Sequence, residues 1–170
     1  YSKIDVEGNK MNDVVKKTEK EKSTVIVEGE NHCLFKEENT FRLFLGAFCS
    51  EDLKNLNRII NELMKAESGE NLEVFINSHG GEVYEGIRFL NTFETFFQKR
   101  VTTYLDNFGF SMGAFVFCFG VQRVAYPYST LMFHDYSTGA FGKFNDIHET
   151  LNFSRKHLYN FFHDHIVSKK

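Results

Sequence analysis

The sequence holds no tryptophan, a single proline, three cysteines and no surplus of positive charge in its 170 residues. Each shortage closes off a class of protein. Lys and Arg number 20 against 23 Asp and Glu, so the formal net charge is −3, and this speaks against a nucleic-acid binder held by a basic face. Cys33, Cys49 and Cys118 are odd in number and form no C-x-x-C pair, which reads as packed, reduced thiols rather than a disulfide framework. The longest apolar run, Phe110 to Val121, falls well short of the roughly 20 residues that span a bilayer, and Gly113 and Gly120 interrupt it. Residues 1–22 contain no apolar segment of the signal-peptide kind. Neither a P-loop nor a dinucleotide G-x-G-x-x-G is present, so no cofactor is expected, and any ATP would be used by a partner. These absences together lead us to expect a soluble protein of the cytoplasm or an organelle matrix, without nucleic acid or membrane as partner.

What is present is a globular composition, 42% apolar with 20 phenylalanines, at a length that suits one domain. Residues 1–22 are charged and poor in anchors, and are expected to form a flexible arm ahead of a single domain over 23–170. The stretches STVIVEGE and NHCLFKEEN read as two short strands around a turn at Gly29, and 41–48 as a buried strand. Ser50 is placed to cap a helix whose apolar stripe is Leu53, Leu56, Ile59, Ile60, Leu63 and Met64. A strand over 71–78, a helix from Glu82 toward Lys99, a strand VTTYLDNF and a short buried helix SMGAFVFCFG follow. QRVAY and TLMFHD read as two further strands linked through Pro127, and a last helix starts near Asn145. This alternation predicts an α/β fold with a largely parallel sheet, whose active groups lie at the carboxyl ends of strands.

Gly80-Gly81, Ser111 and His134 all fall at such ends. Gly109-Phe110-Ser111-Met112-Gly113 spells G-x-S-x-G, the turn that presents a nucleophilic serine, although the same letters also serve tight helix packing. A serine acyl transfer needs a hydroxyl, a base and oxyanion donors. Ser111 supplies the first at a predicted helix N-terminus, and His134 is the natural base. Gly80-Gly81 lets backbone N–H groups approach a ligand. HGGE at 79–82 ahead of G-x-S-x-G resembles the oxyanion and elbow pair of lipases and esterases. In those enzymes, however, the triad runs Ser…Asp…His, and here His134 lies only 23 residues after Ser111.

The segment RLFLGAFCSEDLKNLNRIINELMKAESGENLEVFINSHGGEVYEGIRFLNTF resembles the ClpP family of serine peptidases. I-N-S-x-G-G-x-V, S-M-G-A and the M-I-H-Q-like LMFHD carry the likeness, together with Gly142 and the pair Asp146-Ile147. It covers about residues 42 to 168. The resemblance implies the ClpP/crotonase-like fold, with repeated β-β-α units and a protruding C-terminal handle helix. It implies Ser111 as nucleophile, His134 as base, and the N–H groups of Gly80 and Met112 as oxyanion hole, without metal or other cofactor. It implies a homo-oligomeric ring, a heptamer or double heptamer, acting on peptides or unfolded polypeptides with an AAA+ unfoldase as a partner. A catalytically inactive ring subunit serving as scaffold is the alternative.

The sequence departs from the family pattern in three ways. S-P-G-G reads Ser78-His79-Gly80-Gly81, G-Q-A-A-S reads Asn107-Phe108-Gly109-Phe110-Ser111, and the Ser-to-His spacing is slightly shorter. The family's triad aspartate comes after the handle helix, beyond Lys170. Asp135, Asp146 and Asp164 remain, and none is assigned as the acid. Either the chain lacks the family's C-terminal segment, or the acid comes from elsewhere, or the protein works as a dyad or not at all. His157, His163 and His165 read as a solvated helix end rather than a metal site, and His32 as a strand residue. Phe153, Leu158, Phe161 and Phe162 cover more than one face of the last helix, which predicts burial against another subunit.

Overall fold

The computed structural model describes residues 23–134 and 143–163. The predicted arm of 1–22, together with Asp135, Gly142, Asp164 and His165, lies outside them. Strands β1 (Thr24–Val27), β2 (His32–Glu37) and β3 (Thr40–Leu45) form an antiparallel meander. From β3 onward every pairing is parallel, through β4 (Asn71–Ser78), β5 (Val101–Phe110) and β6 (Gln122–Ala125). β7 (Thr130–Met132) also runs parallel to β5, beyond the end of β6 and on the same side of it. The fold is the expected α/β class with a largely parallel sheet.

Helices α1 (Leu53–Leu63), α2 (Val83–Thr92) and α3 (Met112–Phe119) connect the parallel strands. They cover the face of the sheet that carries Leu43, Leu72, Val74, Ile76, Val101 and Leu105. Leu56, Ile59, Ile60 and Leu63 of α1 are buried there, but Leu53 and Met64, the two ends of the predicted stripe, are exposed. Ser50 does not cap α1. It opens a 3₁₀ turn over Ser50–Asp52 with no side-chain cap bond. The helix predicted to reach Lys99 stops being α-helical at Thr92. A π-turn over Phe93–Phe97 follows, closed by Gln98 N–H donating to Phe93 O at 3.0 Å. The wider turn lets both Phe93 and Phe97 reach the core, where Phe97 meets Phe41 edge-on at 5.7 Å. Gln98 then ends the segment at φ 52°.

Among the described residues, α1, α2 and α3 leave the other face open. A row of rings crosses it: Phe35 edge-on to Phe44 (5.6 Å), Phe44 stacked on Phe75 (4.9 Å) and Phe75 stacked on Tyr104 (4.6 Å). Two residues back along β3 and β4, on the same face, Arg42 bonds Glu73 at 2.8 Å and also pairs with Glu37. These groups are partly solvated, so Arg42→Ala is expected to cost less than about 1 kcal/mol in chemical denaturation. A larger loss would show that this network is shielded from water.

α4 (Phe144–Phe162) is the C-terminal helix, with Asp146 in its first turn. Its predicted burial against a neighbour is met partly within the chain. Leu158 is buried and Phe162 stacks on Phe115 of α3 at 3.8 Å, whereas Phe153 is 70% exposed. No helix among the described residues is long and apolar enough to cross a membrane.

Candidate active site

Ser111 stands between β5 and α3 at φ 52°, ψ −121°. A non-glycine residue there is strained, and strain of this kind marks the strand-to-helix turn that projects a serine out of an α/β sheet. Gln98 holds nearly the same angles far from this turn, so conformation alone does not assign chemistry. The neighbours of Ser111 carry more weight. Its N–H donates to Met132 O at 2.8 Å, which ties the turn to the end of β7.

Gly80 lies against it from the β4 side, at φ 91°. A Cβ on Gly80 would sit 2.7 Å from Ser111 Cβ, 2.9 Å from Met112 N and 2.6 Å from Phe110 O. A Cβ on Gly113 would meet Ser78 Cβ and O at 2.9 Å each. Both glycines therefore do the packing work that is the plain alternative for G-x-S-x-G, and that packing brings the β4 turn onto Ser111. Met112 is the first residue of α3, so its N–H has no intrahelical acceptor.

His134 follows β7 rather than ending it, because pairing with β5 stops at Met132. Two residues of chain extend at most about 7 Å, so His134 stays close to the strand end that binds Ser111 N–H. It is solvent-exposed. Gly80, Ser111 and Met112 thus meet at the ends of β4 and β5, and His134 follows β7, whose end accepts the Ser111 N–H.

Three contributors were not foreseen. Ser78 is fully buried, and its Oγ accepts the Gly80 N–H at 3.1 Å, so the expected oxyanion donor is already engaged. The inward parity of Leu72, Val74 and Ile76 on β4 continues to Ser78 and is the signal that would have found it. Phe48 clips the glycine turn from behind: its N–H donates to Gly80 O at 2.7 Å, and its carbonyl accepts Glu82 N–H at 2.9 Å. Beneath this clip lies His32, read from sequence as an ordinary strand residue. It is 1% exposed, accepts Gly46 N–H on Nδ1 at 3.2 Å, and points Nε2 toward Asp52 Oδ2 at 3.7 Å. Burial pulls its pKa down to about 4, against the opposing pull of Asp52 and the Ala47 backbone.

Other candidates carry less. Cys118 is a half-buried thiol whose pKa burial raises, so it is a poor nucleophile. His163 stacks on Tyr159 at 5.8 Å. Among the described residues, no group of three or more His, Cys, Asp or Glu is placed to hold a metal ion.

The residue pattern of the Clp protease family matches residues 36–168. The chain belongs to that family. It is 34% identical over 110 residues, 62% of this chain and 54% of the relative, to "ATP-dependent Clp protease proteolytic subunit 1" of Synechococcus. It is 31% identical over 129 residues, 72% of this chain and 58% of the relative, to the proteolytic subunit of Bacteroides thetaiotaomicron. The potato (Solanum tuberosum) proteolytic subunit is 33% identical over 96 residues, covering 55% and 48% of the two chains. The chain thus spans about half the length of these Clp relatives.

Proposed function

We propose that this Clp-family chain is a serine endopeptidase that cleaves peptides or unfolded polypeptides through an acyl-enzyme on Ser111. The observation that carries the reading is the strained Ser111 turn, with Gly80 against its Cβ and the β7 end bonded to its N–H. In this mechanism Ser111 Oγ attacks the scissile carbonyl carbon while His134 takes the hydroxyl proton. The oxyanion develops against the N–H groups of Gly80 and Met112. Collapse breaks the C–N bond, and the imidazolium returns its proton to the leaving amine. Water then repeats the sequence, releases the acid and restores Ser111. The third triad member stays unassigned, since Asp135 and Asp164 lie outside the described residues and Asp146 belongs to the first turn of α4. Assembly into a heptameric or doubled ring in the cytoplasm or an organelle matrix, served by an AAA+ unfoldase, is part of the same proposal.

A second reading, an inactive ring subunit acting as scaffold, is favoured by one specific observation. Gly80 N–H is held by Ser78 Oγ and must change partner before it can bind an oxyanion. Intact mass after incubation with a fluorophosphonate separates the two. One adduct per chain in the wild type, absent in Ser111→Ala, is the expected result. An unmodified, folded wild-type protein would overturn the catalytic reading and leave the scaffold.

A further inference from the structure

His79, Phe108 and Phe110 are the three aromatic residues among the positions, Asn107 and Gly109 included, at which the sequence leaves the family's S-P-G-G and G-Q-A-A-S patterns, and the structure brings all three together. His79 lies 4.3 Å from Phe108 and 5.8 Å from Phe110, centroid to centroid, and the two phenylalanines are 5.1 Å apart. The cluster joins the ends of two strands. His79 immediately precedes Gly80, while Phe108 and Phe110 flank Gly109, whose Cα pairs with Ser78. On the helix-facing side of these strand ends, Gly113 packs against the side chain and carbonyl of Ser78. The Phe48 backbone clips the turn through Gly80 O and Glu82 N–H, and the three rings pack together on the opposite side of the strand ends.

We propose that His79, Phe108 and Phe110 act as an aromatic clamp that positions the Gly80 turn against Ser111, in place of the ring of the family's proline. The proposal rests on the catalytic reading above and deepens it. A proline before Gly80 would restrict the backbone through its own φ. A histidine carries no such restriction, so residue 79, which leads into Gly80 and Gly81 at φ 91° and 121°, gains backbone freedom that ring packing can remove. Two aromatic partners at contact distance supply that restraint through ring packing. The phenylalanines and the histidine are then one compensated change rather than three separate departures. His79 acts through Gly80 and is a positioning residue; it is given no proton to transfer.

The test pairs the rate of fluorophosphonate labelling at Ser111 with amide hydrogen exchange of residues 78–82, on the full chain. His79→Ala and Phe108→Ala are each expected to slow labelling on the order of tenfold, from the loss of the ring contacts. The double variant should be little slower than the worse single one, because the rings act together. His79→Phe, which keeps the packing, should label at close to the wild-type rate. In a His79→Pro background, Phe108→Ala should lose most of its effect. Wild-type labelling rates in folded His79→Ala would overturn the clamp, even with a lowered melting temperature. If the wild type itself does not label, the catalytic reading fails and exchange decides alone. Faster exchange at Gly80 and Gly81 in His79→Ala, restored in His79→Phe, upholds the clamp, and unchanged exchange ends it.

Discussion

Gly80→Ala is expected to slow acylation of Ser111 by a factor on the order of 10² to 10³, the loss typical of one oxyanion donor. Two separate costs meet at this position. The first is conformational: an L-residue at φ 91° costs about 1–2 kcal/mol of stability wherever it occurs. The second is local. The added methyl would overlap Ser111 Cβ, Met112 N and Phe110 O, all within 2.9 Å and two of them backbone, so the turn must withdraw from the serine. Gly69→Ala separates the two, because Gly69 has φ 98° with no atom within 4 Å of the new Cβ. It should lower stability by a similar 1–2 kcal/mol, by the same handedness argument, and leave labelling untouched. Equal labelling rates in Gly80→Ala and wild type would remove Gly80 from the oxyanion site. Equal losses in both glycine variants would reduce the effect to global destabilisation.

Much of this arrangement was legible before the structure, for reasons particular residues make plain. Period-two alternation in NLEVFINS fixed β4 because Leu72, Val74 and Ile76 face helices while Glu73 and Phe75 do not. G-x-S-x-G located the β5–α3 turn because a strand can only pass so abruptly into a helix at small residues. Hydrogen bonds that spacing does not encode stayed hidden. The π-turn after Thr92 depends on a bond from Gln98 to Phe93, and an apolar stripe reads the same through either kind of turn. The capture of Gly80 N–H by Ser78 is a side-chain choice among neighbours, and the Phe48 clip joins residues more than thirty apart, 48 with 80 and 82. Cross-strand ring contacts such as His79 with Phe108 follow from β4–β5 register, which a bulge between Ile76 and Ser78 shifts. His32 shares its parity with the inward Leu34, but no rule of alternation says what a buried imidazole will bond.

That imidazole carries the second large effect. Protonating His32 is opposed first by burial, since the ring is 1% exposed between Phe48 and Phe89 at 6.1 and 6.5 Å. It is opposed also by bonding, because Nδ1 accepts Gly46 N–H and an imidazolium has no lone pair to offer. Asp52 pulls the other way but stands 3.7 Å off, beyond hydrogen-bond reach, and desolvation wins. The folded pKa is therefore about 4 against 6.5 for the unfolded chain. Between those values the unfolded state binds more protons, so stability is full above pH 6.5 and falls as the pH drops toward 4. The shift corresponds to roughly 3 kcal/mol lost across that window. Chemical denaturation of wild type and His32→Gln at half-unit steps from pH 7.5 to 4 should show the wild-type curve falling more steeply by about that amount. Parallel curves would mean that His32 does not titrate with unfolding, and a wild type that gains stability on acidification would mean that Asp52 outweighs burial. Because Gly46 and Phe48 share the strand-to-helix connection that clips Gly80 O, acid should loosen the glycine turn first. Amide exchange at Gly80 and Gly81 should therefore accelerate before the global transition, and only in the protein that retains His32.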